Sequence, residues 1–233
     1  KYKKIFAQGL HERSTKKFVP ASGAATRMFQ FLLEYLQDQT ANPEAVEEFI
    51  RNLKSFAFFE DLKNSLSSRG VDVEEAMDKG DYTTIISELL HAGGLGYGQL
   101  PKGLIKFHKY LDHERTPAEE HMVEGANYCL NADSTVRLHF TVLPEHRQTF
   151  EQHIQTKIPE YESYFKMYFH AEFSSQQEST DRVAVDPQNN LFRNPDGSLL
   201  FRPGGHGALL NNRNEMKEDL VFRKNIDKVV SDK

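Results

Sequence analysis

Two strand-like runs separated by one helical stretch constrain the fold of this chain more than any other feature. Residues 136–143 are rich in residue types that favour strands, and Pro144 then opens a helical stretch that reaches about Lys157. A second strand-like run follows at residues 166–173. Because parallel strands are joined by crossover helices, this order predicts an α/β fold with a mostly parallel central sheet and helices on both faces.

A further strand, turn and helix are predicted at residues 16–28. The strand ends near Ala21, and the turn lies at Ser22 and Gly23. The helix after it is indicated by apolar residues at helical spacing: Met28, Phe29, Leu32, Leu33 and Leu36. Small residues at such a turn let a ligand approach the backbone, and the first turn of a helix attracts anions. The pattern fits a phosphate-binding loop with Arg27 as its cation, although spacing alone favours an ordinary strand–helix connection.

The middle of the chain reads as a helical insertion at about residues 42–92. Asn42 is a candidate N-cap, Pro43 suits the first helical position, and Glu44 suits the first turn. The apolar positions of this helix are Val46, Phe49, Ile50, Leu53, Phe56 and Phe59. Two more helices are predicted at residues 73–77 and 82–90. The alternative is that these helices are crossovers that cover the sheet.

Glycine and a capping motif mark the next two segments. Residues 93–98 contain four glycines, which suit a close backbone approach, a mobile lid or a plain linker. Thr116 and Glu119 form a capping box with Pro117 at the first helical position, which predicts a helix through Cys129. This box indicates structure and says nothing of function.

Short strands and one acidic strand end are predicted near the C-terminus. Residues 181–186 and 199–201 read as strands around turns at 187–190 and 194–197. Residues 219–227 read as a strand that ends in Asp227. Carboxylates at the carboxyl ends of parallel strands face the ligand crevice, so Asp227 is a candidate site residue.

Composition excludes several classes of protein. A net charge of −5 over 233 residues argues against wrapping of nucleic acid. The single Cys129 and the lack of a long apolar run predict a cytoplasmic protein with no membrane segment. No histidine pair has a zinc-binding spacing, so packing or surface roles are expected for His108, His113 and His121.

Several motifs resemble those of sugar-1-phosphate nucleotidyltransferases. Residues 23–28, Gly-Ala-Ala-Thr-Arg-Met, are similar to the core of the nucleotide loop in that class. Later stretches resemble UDP-sugar pyrophosphorylases in the same order along the chain; they are residues 101–105, 140–146, 173–176, 203–209 and 225–227. The stretches at 19–28 and 201–209 also resemble an uncharacterised bacterial domain family, a domain of unknown function, so the pyrophosphorylase resemblance is remote.

The resemblance implies a function and a set of site residues. It implies transfer of a nucleotidyl group, with UTP as the expected donor, to a sugar 1-phosphate with release of pyrophosphate. Arg27 and Lys102 would be catalytic, and Asp227 would bind Mg²⁺. The nucleotide-binding residues would be Ala21, Ser22, Gly23, Ala24, Thr26, Gln176, Gly204, Gly205, His206 and Gly207. The fold would be a single nucleotide-diphospho-sugar transferase-like domain over residues 1–233, and the partners a nucleoside triphosphate and a sugar phosphate.

Departures from the family pattern leave an alternative open. Ala208 stands in place of an acid, and Lys228 stands where the relatives often have asparagine. The relatives also continue beyond the position of Asp227, so the chain is expected to be a fragment of a longer protein. The alternative is a nucleotide or sugar-nucleotide binding module without catalysis; the base, the sugar and the oligomeric state are not predicted.

Overall fold

The structure is a computed structural model that describes residues 4, 5, 9, 12–23, 25–202, 204 and 206–229. The α-helices in these residues are α1 (Gln30–Gln37), α2 (Pro43–Arg51), α3 (Phe59–Ser68), α4 (Val73–Asp78), α5 (Tyr82–Leu90), α6 (Pro117–Tyr128), α7 (Arg147–Phe165) and α8 (Leu210–Asn214). The strands are β1 (Thr15–Pro20), β2 (His108–Lys109), β3 (Glu114–Arg115), β4 (Thr135–Val142), β5 (Tyr168–Ser175), β6 (Arg182–Val183), β7 (Phe201–Arg202) and β8 (Leu220–Arg223). No helix among these residues is long and apolar enough to cross a membrane.

The chain divides into two compact units. The sheet unit comprises Lys1–Ser22 and Met122–Asn225, and the helical unit comprises Gly23–His121 and Ile226–Lys233. Each unit therefore combines segments that are far apart in the sequence.

A four-stranded parallel sheet forms the centre of the sheet unit, as predicted. Its strand order is β5-β4-β1-β8, and every neighbouring pair is parallel. Strand periodicity gives the sheet two unlike faces, because successive side chains point to opposite sides. One face is mostly apolar and includes Val19, Leu138 and Phe140, all fully buried, together with Lys17, which pairs in register with Leu138. Phe150 on α7 packs against Phe140 with ring centroids 5.2 Å apart, so α7 covers this face.

Aromatic packing dominates the helical unit. The buried core draws on all of α1–α5, with Leu32, Leu62 and Leu89 fully inaccessible to solvent. Ring contacts with centroids 5.1 to 6.3 Å apart connect Phe31, Phe49, Phe56, Phe58, Tyr97 and Phe29. Helices at residues 42–92 are therefore confirmed, and their apolar faces meet one another.

Helix boundaries correct several predictions. Helix α1 begins at Gln30, so Arg27 lies in the preceding turn and not in the first turn of the helix. Asn42 does not cap α2 with its side chain, because that amide donates to Glu34 at 2.8 Å. The helix predicted to run to Phe59 ends at Arg51, and the backbone becomes extended at Phe56 before α3 begins.

The C-terminal strand is also shorter than predicted. Strand β8 ends at Arg223, and Asp227 lies in a 3₁₀ turn, Ile226–Lys228, rather than at a strand end.

Two local predictions hold. Helix α6 begins at Pro117, and Thr116 Oγ1 accepts the Glu119 N–H at 3.3 Å, so Thr116 caps the helix as predicted.

Candidate functional site

Three predicted site residues come together in the helical unit. The Lys102 N–H donates to the Gly23 carbonyl at 3.0 Å. The Lys102 ammonium lies 3.7 Å from the Asp227 carboxylate. Lys102 opens the 3₁₀ turn Lys102–Leu104, and Asp227 is the middle residue of the 3₁₀ turn Ile226–Lys228, so two tight turns present the charges. We call Gly23, Lys102 and Asp227 the lysine–aspartate cluster.

The ion pair in this cluster is accessible and loosely held. The Lys102 side chain is 27% exposed and that of Asp227 is 45% exposed. Their charged atoms are too far apart for a hydrogen bond, and pairs this open to water contribute little stability. Both charges can therefore exchange partners when an ion arrives.

The loop before α1 remains open to solvent. Thr26 and Arg27 are exposed, and Ala25 is buried, its N–H donating to the Leu100 carbonyl at 3.3 Å. Arg27 makes no hydrogen bond or ion pair with any residue that the structure describes. A Cβ on Gly23 would lie 3.6 Å from Lys102 Cδ, an ordinary contact, so local packing does not require this glycine. Ala24 is outside the described residues.

The cluster offers one carboxylate to a metal ion. No group of three or more His, Cys, Asp or Glu side chains suited to a metal occurs in the described part of the chain. Magnesium commonly takes one or two protein carboxylates and fills its other positions with phosphate oxygens and water. Asp227 thus fits magnesium bound together with phosphates, and does not fit a site made of protein ligands alone.

The remaining predicted residues lie in the sheet unit. Ala21 follows β1 and is fully buried, and its N–H donates to the Thr141 carbonyl at 2.8 Å. Ser22 is half-buried. Both follow the carboxyl end of a parallel strand, the edge at which ligands bind in open α/β sheets.

Gln176 has a buried acceptor without a partner. It directly follows β5 and is 5% exposed, and its Nε2 donates to the Gly204 carbonyl at 3.2 Å. Its Oε1 is buried with no hydrogen-bond partner among the described residues. Buried polar atoms nearly always make a hydrogen bond, so we expect a donor to pair with this oxygen. Gln176 also lines a cavity of about 220 Å³ with the acids Glu145, Glu178 and Asp181.

Glycine is required by packing at one position of the predicted glycine loop. A Cβ on Gly204 would lie 2.7 Å from the Thr180 carbonyl oxygen and 2.9 Å from the Ala208 Cβ, so no other residue fits. Gly207 is exposed, with nothing near its Cβ position. His206 begins the 3₁₀ turn His206–Leu209, while its side chain and Gly205 lie outside the described residues.

The polar face of the sheet carries a network that the sequence analysis did not identify. Lys16 pairs with Glu172 and with Glu218, each at 2.7 Å. His139 Nε2 lies 2.8 Å from Ser174 Oγ, and its Nδ1 lies 3.4 Å from Glu172. Burial lowers the pKa of His139, although the neighbouring Glu172 opposes this shift. The sequence feature that could have indicated this polar face was the period-2 alternation of polar and apolar residues along β4.

A second missed network lies at Lys17. Its side chain is fully buried, and its ammonium donates to Glu124 at 2.8 Å. Lys224 pairs with the other oxygen of the same carboxylate. Burial lowers the pKa of Lys17 to about 8, although Glu124 acts in the opposite direction. Glu124 is 107 residues from Lys17, so no local pattern could predict this pair.

Comparison with known proteins gives one family. The family described as "Domain of unknown function (DUF4301)" matches residues 1–233, so the chain belongs to that family. No curated protein and no solved structure matches the chain. The prediction of an uncharacterised domain family is therefore confirmed.

Proposed function

We propose that this member of the DUF4301 family binds a nucleoside triphosphate, with UTP as the first candidate, and transfers its nucleotidyl group to a sugar 1-phosphate. The observation that carries the proposal is the lysine–aspartate cluster. Gly23, Lys102 and Asp227 come from distant parts of the sequence, and each belongs to a different motif of the nucleotidyltransferase resemblance. Their contact is what a phosphate-binding site built from those motifs requires.

The chemistry needs little covalent help from the protein. An oxygen of the sugar 1-phosphate attacks the α-phosphorus, and the bond from that phosphorus to the oxygen of the leaving pyrophosphate breaks. Negative charge spreads over the phosphate oxygens as this happens, so positioned cations lower the barrier. Lys102 would lie at the phosphates near the reacting centre, and the exposed Arg27 would hold the leaving pyrophosphate.

The partly exposed pair of Lys102 and Asp227 supports this division of roles. Phosphate oxygens can replace Asp227 at the Lys102 ammonium at small cost, because the pair is open to water. Asp227 would then be available to hold Mg²⁺ together with phosphate oxygens. The chemistry that magnesium supplies when bound is to offset charge on those oxygens.

In the sheet unit, Gln176 is the residue that we propose for contact with a base. Its buried Oε1 can accept from an N–H such as that of the uracil imide. The acids Glu145, Glu178 and Asp181 line the same cavity and would repel phosphates. These charges favour a base over a phosphate at that position.

A second candidate function is nucleotide binding without catalysis. The described residues contain no group of three metal-ligating side chains, and Ala208 stands where the pyrophosphorylases have an acid. A single carboxylate suffices for binding with phosphates but leaves fewer charges for transfer. Turnover separates the two functions. Labelled pyrophosphate that exchanges into UTP in the presence of a sugar 1-phosphate supports the enzyme, and binding without exchange supports the module.

Replacement of Asp227 tests the magnesium role. We expect Asp227→Asn to remove the magnesium-dependent part of UTP binding, measured by calorimetry with magnesium and with chelator, and to leave the melting temperature unchanged. Asp78→Asn is the matched control, because Asp78 is an exposed acid elsewhere in the helical unit. If the native chain binds UTP equally well in chelator, the magnesium role of Asp227 is wrong.

Replacement of Arg27 tests the phosphate role. A charge-assisted fork to phosphate contributes enough that Arg27→Ala should weaken UTP binding by about tenfold or more. The exposed side chain packs against little, so the melting temperature should not change. Arg51→Ala, at an exposed arginine that ends α2, is the control. Parallel loss of stability and binding would instead identify Arg27 as a structural residue.

A further inference from the structure

A cavity of about 410 Å³ opens in the helical unit, and the proposed function does not use it. Its walls are mostly aromatic: they include Phe29, Phe31, Phe49, Phe56, Phe58 and Phe107. Stacking holds part of this wall in place. The Phe56 ring stacks on the rings of Phe49 and Phe58, with ring centroids 5.1 Å apart in both pairs. The volume is within the range of about 300–1,000 Å³ that small-molecule sites occupy, and such sites are usually preformed and largely apolar.

Apolar groups at this cavity face solvent. Met28 is 39% exposed and Phe107 is 37% exposed, although both adjoin a well-packed core. A ligand with an apolar body would remove this surface from water, which is favourable in proportion to the area covered.

Two lysines set the charge of the ligand. Lys106 and Lys109 line the cavity, and no acidic side chain does. Lys106 pairs with Asp61 at 2.6 Å, so its charge is offset. Lys109 donates only to the Lys54 carbonyl, at 3.3 Å, and has no acidic partner among the described residues. Lys109 is therefore the cation that a ligand can engage.

We propose that this cavity binds a small amphipathic anion, with an apolar chain or ring among the phenylalanines and one anionic head group at Lys109. The aromatic lining excludes a nucleoside triphosphate, whose several charges would lose their hydration against apolar walls. The two lysines disfavour a cationic ligand. The site is thus distinct in chemistry from the lysine–aspartate cluster, and its test uses no nucleotide.

Competition with a fluorescent probe tests the apolar body and the head group together. The intact chain is titrated with 8-anilinonaphthalene-1-sulfonate, an aromatic sulfonate. Decanoate or decanol is then added to displace this probe. We expect the probe to bind, and decanoate to displace it at about tenfold lower concentration than decanol, the ratio for one charge-assisted contact of about 1.4 kcal/mol. Absence of probe binding, or equal displacement by the two compounds, would overturn the proposal.

Three variants locate the site. Ala57 lines the cavity and is 7% exposed, so Ala57→Phe should fill the space and abolish probe binding. Lys109→Ala should remove the preference for decanoate over decanol, and Lys109→Arg should retain it. Lys79→Ala, at an exposed lysine on the helical unit away from the cavity lining, is the control.

Unfolding of the Ala57 variant must be separated from loss of the site. Its circular dichroism and melting temperature are therefore measured, and Lys109→Ala supplies a second test at an exposed position that does not depend on packing. If a folded Ala57→Phe chain binds the probe like the native chain, or if Lys109→Ala keeps the decanoate preference, the cavity is not the site.

Discussion

Helices α1–α5 and the sheet unit bury charge to very different extents. Among the described residues of α1–α5, the one buried charged side chain is Glu88. The ion pairs that these helices make are mostly exposed, as between Glu74 of α4 and Lys54 of the 3₁₀ turn Leu53–Ser55, whose side chains are 52% and 57% exposed. In the sheet unit, by contrast, the Lys17 side chain is fully buried and that of Lys16 is 8% exposed. Two neighbouring residues of a central strand are thus buried cations.

The difference predicts how each of these two regions responds to mutation. Apolar burial is non-directional and survives small rearrangements, with a cost set by the volume that is lost. A buried ion pair depends on both partners, because removal of one leaves the other charge without compensation. The sheet unit should therefore be sensitive to neutral replacements of similar shape, and helices α1–α5 to truncation of apolar side chains.

The largest effect is expected at Glu124. Glu124→Gln preserves the shape of the side chain and removes the charge that both Lys17 and Lys224 contact. We expect a loss of about 3–5 kcal/mol in the free energy of unfolding at pH 7, measured with urea. The loss should shrink as the pH rises towards about 8, the pKa of Lys17 in the native chain, because Lys17 of the variant has no carboxylate to offset its burial and loses its proton at a lower pH.

The control for Glu124 is an exposed glutamate in the same unit. Glu160 pairs with Lys157 and its side chain is 63% exposed, so Glu160→Gln should change stability by less than about 0.5 kcal/mol. Equal effects of the two replacements would mean that burial of the Lys17 pair has no energetic consequence, and the contrast between α1–α5 and the sheet unit would fail.

A smaller effect is expected in the helical core. Leu62 on α3 is fully buried, so Leu62→Ala should cost about 3 kcal/mol through lost burial and the cavity it leaves. This cost should not change with salt concentration, since no charge is involved. Leu111 is fully exposed in the same unit, and Leu111→Ala should be neutral in the same urea titration. A strong salt dependence for Leu62→Ala would contradict the apolar account of this core.

The same contrast explains what could be predicted from the sequence. Helices α2 and α5 follow from apolar spacing, and the start of α6 follows from Thr116 and Glu119, because these signals are local. The parallel sheet follows from the order of strand-like runs. The charged pairs of β1 do not, because Lys16 meets Glu172 and Lys17 meets Glu124 only after the chain has folded.

The candidate site was predictable in part for similar reasons. Motif resemblance selected Gly23, Lys102 and Asp227, and the structure brings these three together. Their local geometry was harder to predict from the sequence. Arg27 precedes α1 by several residues, and Asp227 lies in a 3₁₀ turn, because helix and strand ends depend on tertiary contacts that apolar spacing does not encode.

The smallest expected effect is a pH dependence from His139 on the polar face of the sheet. The charged groups around this ring are Glu172, Lys16 and Glu215, and His170 pairs with the same Glu172. Burial lowers the pKa of His139 below its ordinary value of 6.5, with Glu172 opposing, so the unfolded chain takes up a proton first as the pH falls. Stability should therefore be lost as the pH falls below about 6.5 and through the folded pKa, with a slope of at most about 1.4 kcal/mol per pH unit for one proton.

A histidine-to-glutamine pair isolates this proton. His139→Gln keeps a side chain that can hydrogen-bond to Ser174 and should flatten the pH dependence between about 6.5 and 5.5, above the range in which most carboxylates titrate. His91→Gln, at an exposed histidine of the helical unit, should leave the profile unchanged. Unfolding free energies from urea titrations at several pH values decide between them. If His139→Gln retains the native slope, the His139 ring is not the group through which the protein loses stability in acid.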